Sequence, residues 1–374
     1  QNQKLLSFLR DTLRLTSVKN GCSEGACGTC MVLIDGKAVK ACVQQTDKLG
    51  GKTIVTVEGL SPREKDVYAY AFAAAGAVQC GFCTPGMVIS AKALLDQNLN
   101  PTRADVKEAI KNNICRCTGY KKIEDAVLLA AQLFRDNTEV PSTELPGSVG
   151  DSIRRIEVVD KTLGTAMYAD DIYLPDMLLG SCVRAAYPRA KVLSIDTTAA
   201  KAVEGVVAVF TADDVPGAKK IGHLVQDYDV LIPVGSITHF LGDAIALVVA
   251  ENAAALEAGK AAVKVEYEQL TPILSAEDAS KDGFELVHLE RKDNLLSYQC
   301  VKRGNADEVI QNSAHVVTNQ YSVPFTDHAF LEPECAVAEV EGDGVHIFSG
   351  DQGVYQTRKE CSMMLGLAPE QVRV

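Results

Sequence analysis

The spacing of hydrophobic positions changes character twice along this chain. Leu5, Leu6, Leu9 and Leu13 recur at helical spacing, which predicts a short amphipathic helix over Gln1–Arg14. A loop rich in glycine and cysteine follows. Met31–Ile34 and Ala38–Cys42 then read as strands around Asp35-Gly36, a dipeptide that favours a two-residue hairpin turn, and Thr53–Val57 reads as a third strand. From Asp66 the period becomes that of helices. Four are predicted, over Asp66–Val78, Pro85–Gln97, Thr102–Asn113 and Lys122–Arg135. The third has a marked start, with Pro101 before a Thr102-x-x-Asp105 capping box.

Residues 136–155 carry Asn137, Pro141, Ser142, Pro146, Gly147 and Gly150 and are expected to be a linker. Beyond residue 156 the texture is mixed α/β. Ala244–Ala250 is a buried-strand run, Ala253–Ala262 a helix and Val263–Tyr267 a strand. Ala336–Val340 and Val345–Phe348 flank a Gly342-Asp343-Gly344 turn, Tyr355–Leu365 is a helix, and another strand begins near Val374. The pattern divides the chain into 1–62, 63–135, a linker at 136–155, and 156–374. No stretch of 18 apolar residues is present, so no membrane partner is expected, and Gln1–Arg14 does not read as a signal peptide.

The net charge of −12 is unevenly spread. Residues 1–135 hold 18 Lys and Arg against 12 Asp and Glu, or +6, while the remainder holds 19 against 37, or −18. An acidic bulk argues against nucleic acid, and the basic residues of the front are scattered. Their excess has an internal counterpart. Of 12 cysteines, eight fall between Cys22 and Cys117, and four thiolates around two ferric ions and two sulfides carry about −2 per cluster.

Cys22, Cys27 and Cys30 are spaced C-x4-C-x2-C, with Cys42 after the hairpin, the plant-type ferredoxin order. Gly21, Gly25 and Gly28 let the loop wrap tightly enough to aim backbone N–H groups at sulfur. A four-cysteine zinc site is the alternative, although three ligands crowd one loop rather than two separated knuckles. In the second set, Cys80-x-x-Cys83 and Cys115-x-Cys117 sit in loops between the first and second and the third and fourth predicted helices. An antiparallel bundle places both loops at one end. Zinc is again the alternative. The lone Cys182, Cys300, Cys335 and Cys361 are expected to be buried, inert thiols, and the six histidines, which show no ligand spacing, to be structural. There is neither a G-x-G-x-x-G nor a P-loop.

Gln79-Cys80-Gly81-Phe82-Cys83-Thr84-Pro85-Gly86 and Cys115-Arg116-Cys117-Thr118-Gly119-Tyr120 resemble the second iron–sulfur domain of the molybdenum hydroxylases, the xanthine dehydrogenase/aldehyde oxidoreductase family. Gly21–Cys42 is similar to that family's β-grasp ferredoxin domain. Weaker similarities follow in order: Gly164-Thr165-Ala166-Met167-Tyr168-Ala169-Asp170-Asp171, Leu193–Asp196, Phe240–Ala246 with Ala250-Glu251, and Leu331-Glu332-Pro333.

The resemblance implies a multidomain protein: a β-grasp, plant-type ferredoxin-like α+β domain, a four-helix-bundle [2Fe-2S] domain, then the α/β N-terminal part of a molybdopterin-binding domain, with an a/b hammerhead-like portion. It implies two [2Fe-2S] clusters, on Cys22, Cys27, Cys30 and Cys42 and on Cys80, Cys83, Cys115 and Cys117. It further implies molybdenum–molybdopterin as a dinucleotide, with Gln79 and Cys117 against the pterin and Gln352 as a catalytic residue beside molybdenum. Gln79 could instead be a solvent-facing helix-end residue and Gln352 a polar residue in a strand–helix turn. The implied activity is oxidative hydroxylation of an aldehyde or a purine-type N-heterocycle with oxygen from water. Electrons would leave to an external acceptor or a separate flavin subunit, since no FAD domain lies in this chain. The implied setting is cytoplasmic, as a homodimer or within a larger complex. The alternative is an electron-transfer iron–sulfur subunit with no catalytic site of its own, which the α/β residues after 156 disfavour. Relative to the family the chain reads as a fragment, ending before a glycine-rich segment and a late glutamate base and lacking a first hairpin. Residues 1–374 alone are therefore expected to show no hydroxylase activity, which a substrate-dependent dye-reduction assay checks.

Overall fold

A computed structural model describes residues 2–143, 147–151, 153–281 and 283–374. Pro146 of the expected linker lies outside the described residues. The chain forms two compact units, one of Gln1–Ile172 with Pro324–Cys335, the other of Tyr173–Val323 with Ala336–Val374.

In the first unit the N-terminal leucines do enter a core, but not on a regular helix. Leu5–Ser7 makes one α turn, Phe8–Thr12 widens to a π turn, and Arg14 takes a left-handed φ of 56°. The predicted helix to Arg14 is thus cut short. Arg10 explains it: its guanidinium is buried and reaches the Val18 carbonyl at 3.0 Å, which needs the local rewinding. Strands β1 (Met31–Ile34) and β2 (Lys37–Lys40) form the expected hairpin, with Asp35 and Gly36 both at positive φ, as the turn requires. Strand β3 (Ile54–Val55) pairs antiparallel on the other edge of β1.

Four helices follow: α1 (Pro62–Ala74), α2 (Thr84–Leu95), α3 (Arg103–Ile110) and α4 (Lys121–Asp136). The predicted start of α1 at Asp66 was too late. Ser61 caps the helix and Glu64 returns a bond to the Ser61 N–H, a capping box around Pro62. The helix ends before Gly76, whose φ is +64°. The Thr102–Asp105 box starts α3 as expected. A fifth helix, α5 (Val158–Leu163), packs on α1 and α2. Val67, Phe72, Met87, Val106, Ile123 and Val127 build one core among these helices, and Leu331 packs against it.

The second unit has a three-stranded antiparallel sheet with Ala244–Ala250 central between Leu179–Arg184 and Val206–Phe210. The helix Ala253–Ala262, capped by Asn252, packs against it. Lys264–Gln269 pairs with Ala190–Asp196. Ala336–Glu341 and Gly344–Ser349 form the last predicted hairpin, and Val372–Arg373 adds in parallel.

Candidate metal centres

The first cysteine loop is shaped by its glycines. Gly28 has φ +75°, and a Cβ there would lie 2.2 Å from the Asn112 carbonyl oxygen. Only glycine lets this loop press against the segment leading to Cys115. Gly86, at the start of α2, meets the same loop: its Cβ would lie 2.6 Å from the Gly28 carbonyl oxygen.

Within the loop, sulfur collects backbone donors. The Cys27 N–H points at Cys22 Sγ with N···S 3.3 Å. Although burial opposes it, the N–H groups of Cys27, Glu24 and Ala26 bring the Cys22 thiol down to about 7. Thr29 Oγ1 stands 3.2 Å from Cys27 Sγ. Cys42 comes from the turn after β2 and meets Cys30, whose thiol burial pushes up to about 12. Cys22 lies with Cys27 and Cys30 with Cys42, so the four thiols meet as two pairs.

The second set repeats this pairing. Cys80 and Cys83 precede and cap α2, while Cys115 and Cys117 lie between α3 and α4, where Tyr120 at φ 68° and Gly119 at +64° turn the chain. Cys117 Sγ is 3.8 Å from Cys80 Sγ. The thiols of Cys83 and Cys115 face each other, and this proximity, against burial, brings Cys115 to about 5 while raising Cys83 strongly. Thr118 Oγ1 and the N–H groups of Cys117 and Thr118 also face the Cys115 sulfur. The Phe82 N–H faces that of Cys80.

Among the described residues no three His, Cys, Asp or Glu side chains are arranged around a single ion. Two pairs of thiols ringed by N–H donors suit a binuclear cluster, which takes two thiolates on each iron and accepts hydrogen bonds at sulfur. The two sets are also joined. The Ile114 N–H, one residue before Cys115, donates to the Cys27 carbonyl at 2.8 Å, and buried Asn113 donates to the Gly28 carbonyl at 3.0 Å.

Beside the second set, Gln79 is exposed and Cys117 half-buried. Gln352 lies in the second unit, exposed in the turn between the strand Gly344–Ser349 and the helix Val354–Leu365. The Gln79 amide carries both donors and an acceptor, and it adjoins Cys80, whose sulfur is 3.8 Å from that of Cys117, a donor set that suits the mixed hydrogen-bonding edge of a pterin. Of the lone cysteines, Cys300 is exposed, contrary to expectation, and the other three are half-buried. Burial raises the thiols of Cys182, Cys335 and Cys361, which keeps them protonated.

Sequence reasoning missed two contributions to the second set. The segment Pro324–Cys335, 200 residues further on, belongs to the same unit, and Arg116 donates to the carbonyls of Asp327 (3.1 Å) and His328 (2.7 Å). From the segment Gly164–Asp171, Tyr168 Oη donates to the Cys80 carbonyl at 2.8 Å. Only the order of motifs hinted at either.

Family models match along the chain in sequence: a 2Fe-2S iron–sulfur cluster binding domain over 4–67, a [2Fe-2S] binding domain over 56–128, the a/b hammerhead domain of aldehyde oxidase and xanthine dehydrogenase over 163–271, and a molybdopterin cofactor-binding domain over 287–374. The small FeS subunit of nicotinate dehydrogenase from Eubacterium barkeri is 48% identical over 35% of this chain and 84% of its own length. The chain belongs to the molybdenum hydroxylase family. An aldehyde oxidoreductase from Megalodesulfovibrio gigas is 33% identical over 98% of this chain and 43% of its own. The solved aldehyde oxidoreductase from Desulfovibrio gigas superposes with a TM-score of 0.88, at 32% identity, over 99% of this chain and 43% of that one. Iron–sulfur domains followed by molybdenum-cofactor domains are thus the order along this chain, which spans less than half the length of these two aldehyde oxidoreductases. No helix among the described residues is long and apolar enough to cross a membrane.

Proposed function

We propose that the chain is the electron-conducting and cofactor-binding front of a hydroxylase acting on aldehydes. The observation that carries the reading is two complete sets of paired cysteines, each ringed by backbone donors, on one chain with the molybdenum-cofactor segments. Within it, 1–62 is the β-grasp ferredoxin-like domain, 63–135 the four-helix bundle, 136–155 the linker and 156–374 the first part of the molybdopterin-binding portion. Cys22, Cys27, Cys30 and Cys42 hold one [2Fe-2S] cluster, and Cys80, Cys83, Cys115 and Cys117 the other.

Gln79 and Cys117 bind and orient the pterin, as a dinucleotide, and Gln352 offers its amide at the substrate end. When bound, the molybdenum group supplies a two-electron oxidation of substrate. The residues between the two cysteine sets keep the metal-bearing loops at a fixed separation, with the Ile114–Cys27 hydrogen bond joining one loop directly to the other. A homodimer or larger complex, a cytoplasmic setting and an external acceptor or flavin subunit complete the reading.

Aldehydes are favoured because the aldehyde oxidoreductase aligns through 98% of this chain. The nicotinate dehydrogenase matches instead fall on two separate subunits, one FeS and one molybdopterin. A purine-type N-heterocycle is the second reading, carried by the likeness to probable xanthine dehydrogenase subunits from Bacillus subtilis.

Purified anaerobically from its full-length gene, the protein should contain about four irons and four labile sulfides across residues 1–374. It should show two distinct EPR signals on reduction, and reduce dye with aldehydes faster than with purines. Zinc in place of iron, or a single signal for all spins, sinks the cluster reading. Purine-only turnover transfers the substrate assignment to the second reading.

A further inference from the structure

The Cys80 carbonyl accepts two hydrogen bonds from side chains more than 80 residues away in sequence. Tyr168 Oη donates at 2.8 Å and Lys161 Nζ at 3.0 Å. The arrangement is built around Gly81, whose φ is +87°. A Cβ on Gly81 would lie 2.7 Å from Lys161 Cβ and 2.9 Å from Tyr168 Oη, so glycine is what lets both side chains reach the peptide. Tyr168 is buried, its ring packed edge-on against Phe82 at 5.3 Å between centroids. The ammonium of Lys161 also lies 5.1 Å from that ring's centroid, so the lysine is fixed from two sides.

This geometry acts on the metal ligand next to it. The two donors fix the peptide that follows Cys80 beside the cysteine's own sulfur, which the Phe82 N–H also faces. Lys161 adds a positive charge in half-buried surroundings, where Coulomb interactions are several-fold stronger than in water. A [2Fe-2S] cluster with four thiolates gains one negative charge on reduction, so a fixed cation beside it favours the reduced form. Glu332 faces the same cysteine as the opposing charge, and Lys161 and Arg155 face Glu332.

We propose that Lys161, seated by Tyr168 and Gly81, is a positioning residue that raises the reduction potential of the cluster on Cys80, Cys83, Cys115 and Cys117. The proposal rests on the cluster assignment above, which iron content and the wild-type EPR spectrum test separately. A wild type without two clusters would end that reading before this one is reached.

The experiment is an EPR-monitored redox titration of full-length enzyme carrying Lys161→Met, Lys161→Arg and Tyr168→Phe. Each signal is assigned by its loss in a Cys42→Ala or Cys117→Ala variant. Lys161→Met should lower the reduced-to-oxidised ratio of the second cluster about tenfold at fixed potential, ~59 mV for a one-electron couple. The first cluster should not move. Lys161→Arg should restore most of the wild-type midpoint, and Tyr168→Phe should give a smaller shift of the same sign. An unchanged midpoint in Lys161→Met, or an equal shift of both clusters, overturns the proposal. Should Lys161→Met fail to hold iron, Lys161→Gln and Tyr168→Phe carry the same comparison, and unchanged midpoints there overturn it equally.

Discussion

Replacing Asp171 by alanine should destabilise the first unit by about 3–5 kcal/mol, the usual result of stranding a buried charge. Asp171 Oδ2 lies 2.5 Å from Lys19 Nζ and its Oδ1 3.0 Å from Arg10, with the Lys19 and Asp171 side chains both fully buried. Burial pulls the Lys19 ammonium below its ordinary value, and the carboxylate of Asp171 is the chief force opposing that loss. Removing Asp171 takes from Arg10 its nearer carboxylate and leaves the partly exposed Asp170, at 3.3 Å, as an acidic neighbour. The damage should reach the metal loops, because Lys19 stands three residues before Cys22 and Thr29 Oγ1 donates to the Lys19 carbonyl. Tyr168, three residues before Asp171, holds the Cys80 carbonyl. Thermal unfolding followed by circular dichroism, with cluster absorbance recorded in parallel, measures both effects. A double Lys19→Met, Asp171→Leu variant should recover part of the loss, since it removes the buried ammonium together with its carboxylate while Arg10 keeps Asp170. A single variant within about 0.5 kcal/mol of wild type would show the network to be inert.

What the sequence disclosed depended on how local the determinant was. The Asp35-Gly36 turn and the Thr102 capping box are each set within a dozen residues, and each is found where the sequence places it. The α1 helix was misplaced by four residues because its apolar period is weak, and Ser61-Pro62-x-Glu64, its actual start signal, was passed over. The strands Leu179–Arg184 and Val206–Phe210 gave no clear alternation. Both are edges of Ala244–Ala250, and their half-buried faces exist only once that central strand is in place. The N-terminal helix failed for the opposite reason. Its leucine period was real, but Arg10 is drawn inward by Asp170 and Asp171, partners 160 residues away, and the helix yields. No window of sequence holds both ends of that interaction. The same is true of Pro324–Cys335, whose Leu331-Glu332-Pro333 lies within the molybdopterin cofactor-binding match over 287–374, as the order of motifs implies, while its packing in the unit that carries the cysteines is set by no local signal.

Cys42→Ala and Cys117→Ala should each remove about two of the four irons and one of the two EPR signals, leaving the other signal in place. The argument is structural. Cys42 belongs to the sheet scaffold, where the core around it is Leu5, Leu6, Leu9, Val18, Val32 and Ala41. Cys117 stands between α3 and α4, over a separate core of Val67, Phe72, Met87, Val106 and Ile123. Each thiol set can therefore fail without unfolding the scaffold of the other. The sets nevertheless touch. Ile114 bonds Cys27, and Asn113, held by Ser90 at 2.7 Å, bonds Gly28. Loss of one cluster should thus leave the remaining signal at its wild-type g-values but without the splitting that a second reduced cluster imposes. Dithionite reduction followed by EPR, alongside iron and sulfide analysis, reads all three quantities. Complete loss of iron from either variant would mean that the two loops assemble as one unit, with the hydrogen bonds between them contributing more than the separate cores. Retention of all four irons in Cys42→Ala would mean that Cys42 is not a ligand, leaving the first set with three cysteines and an unidentified fourth donor.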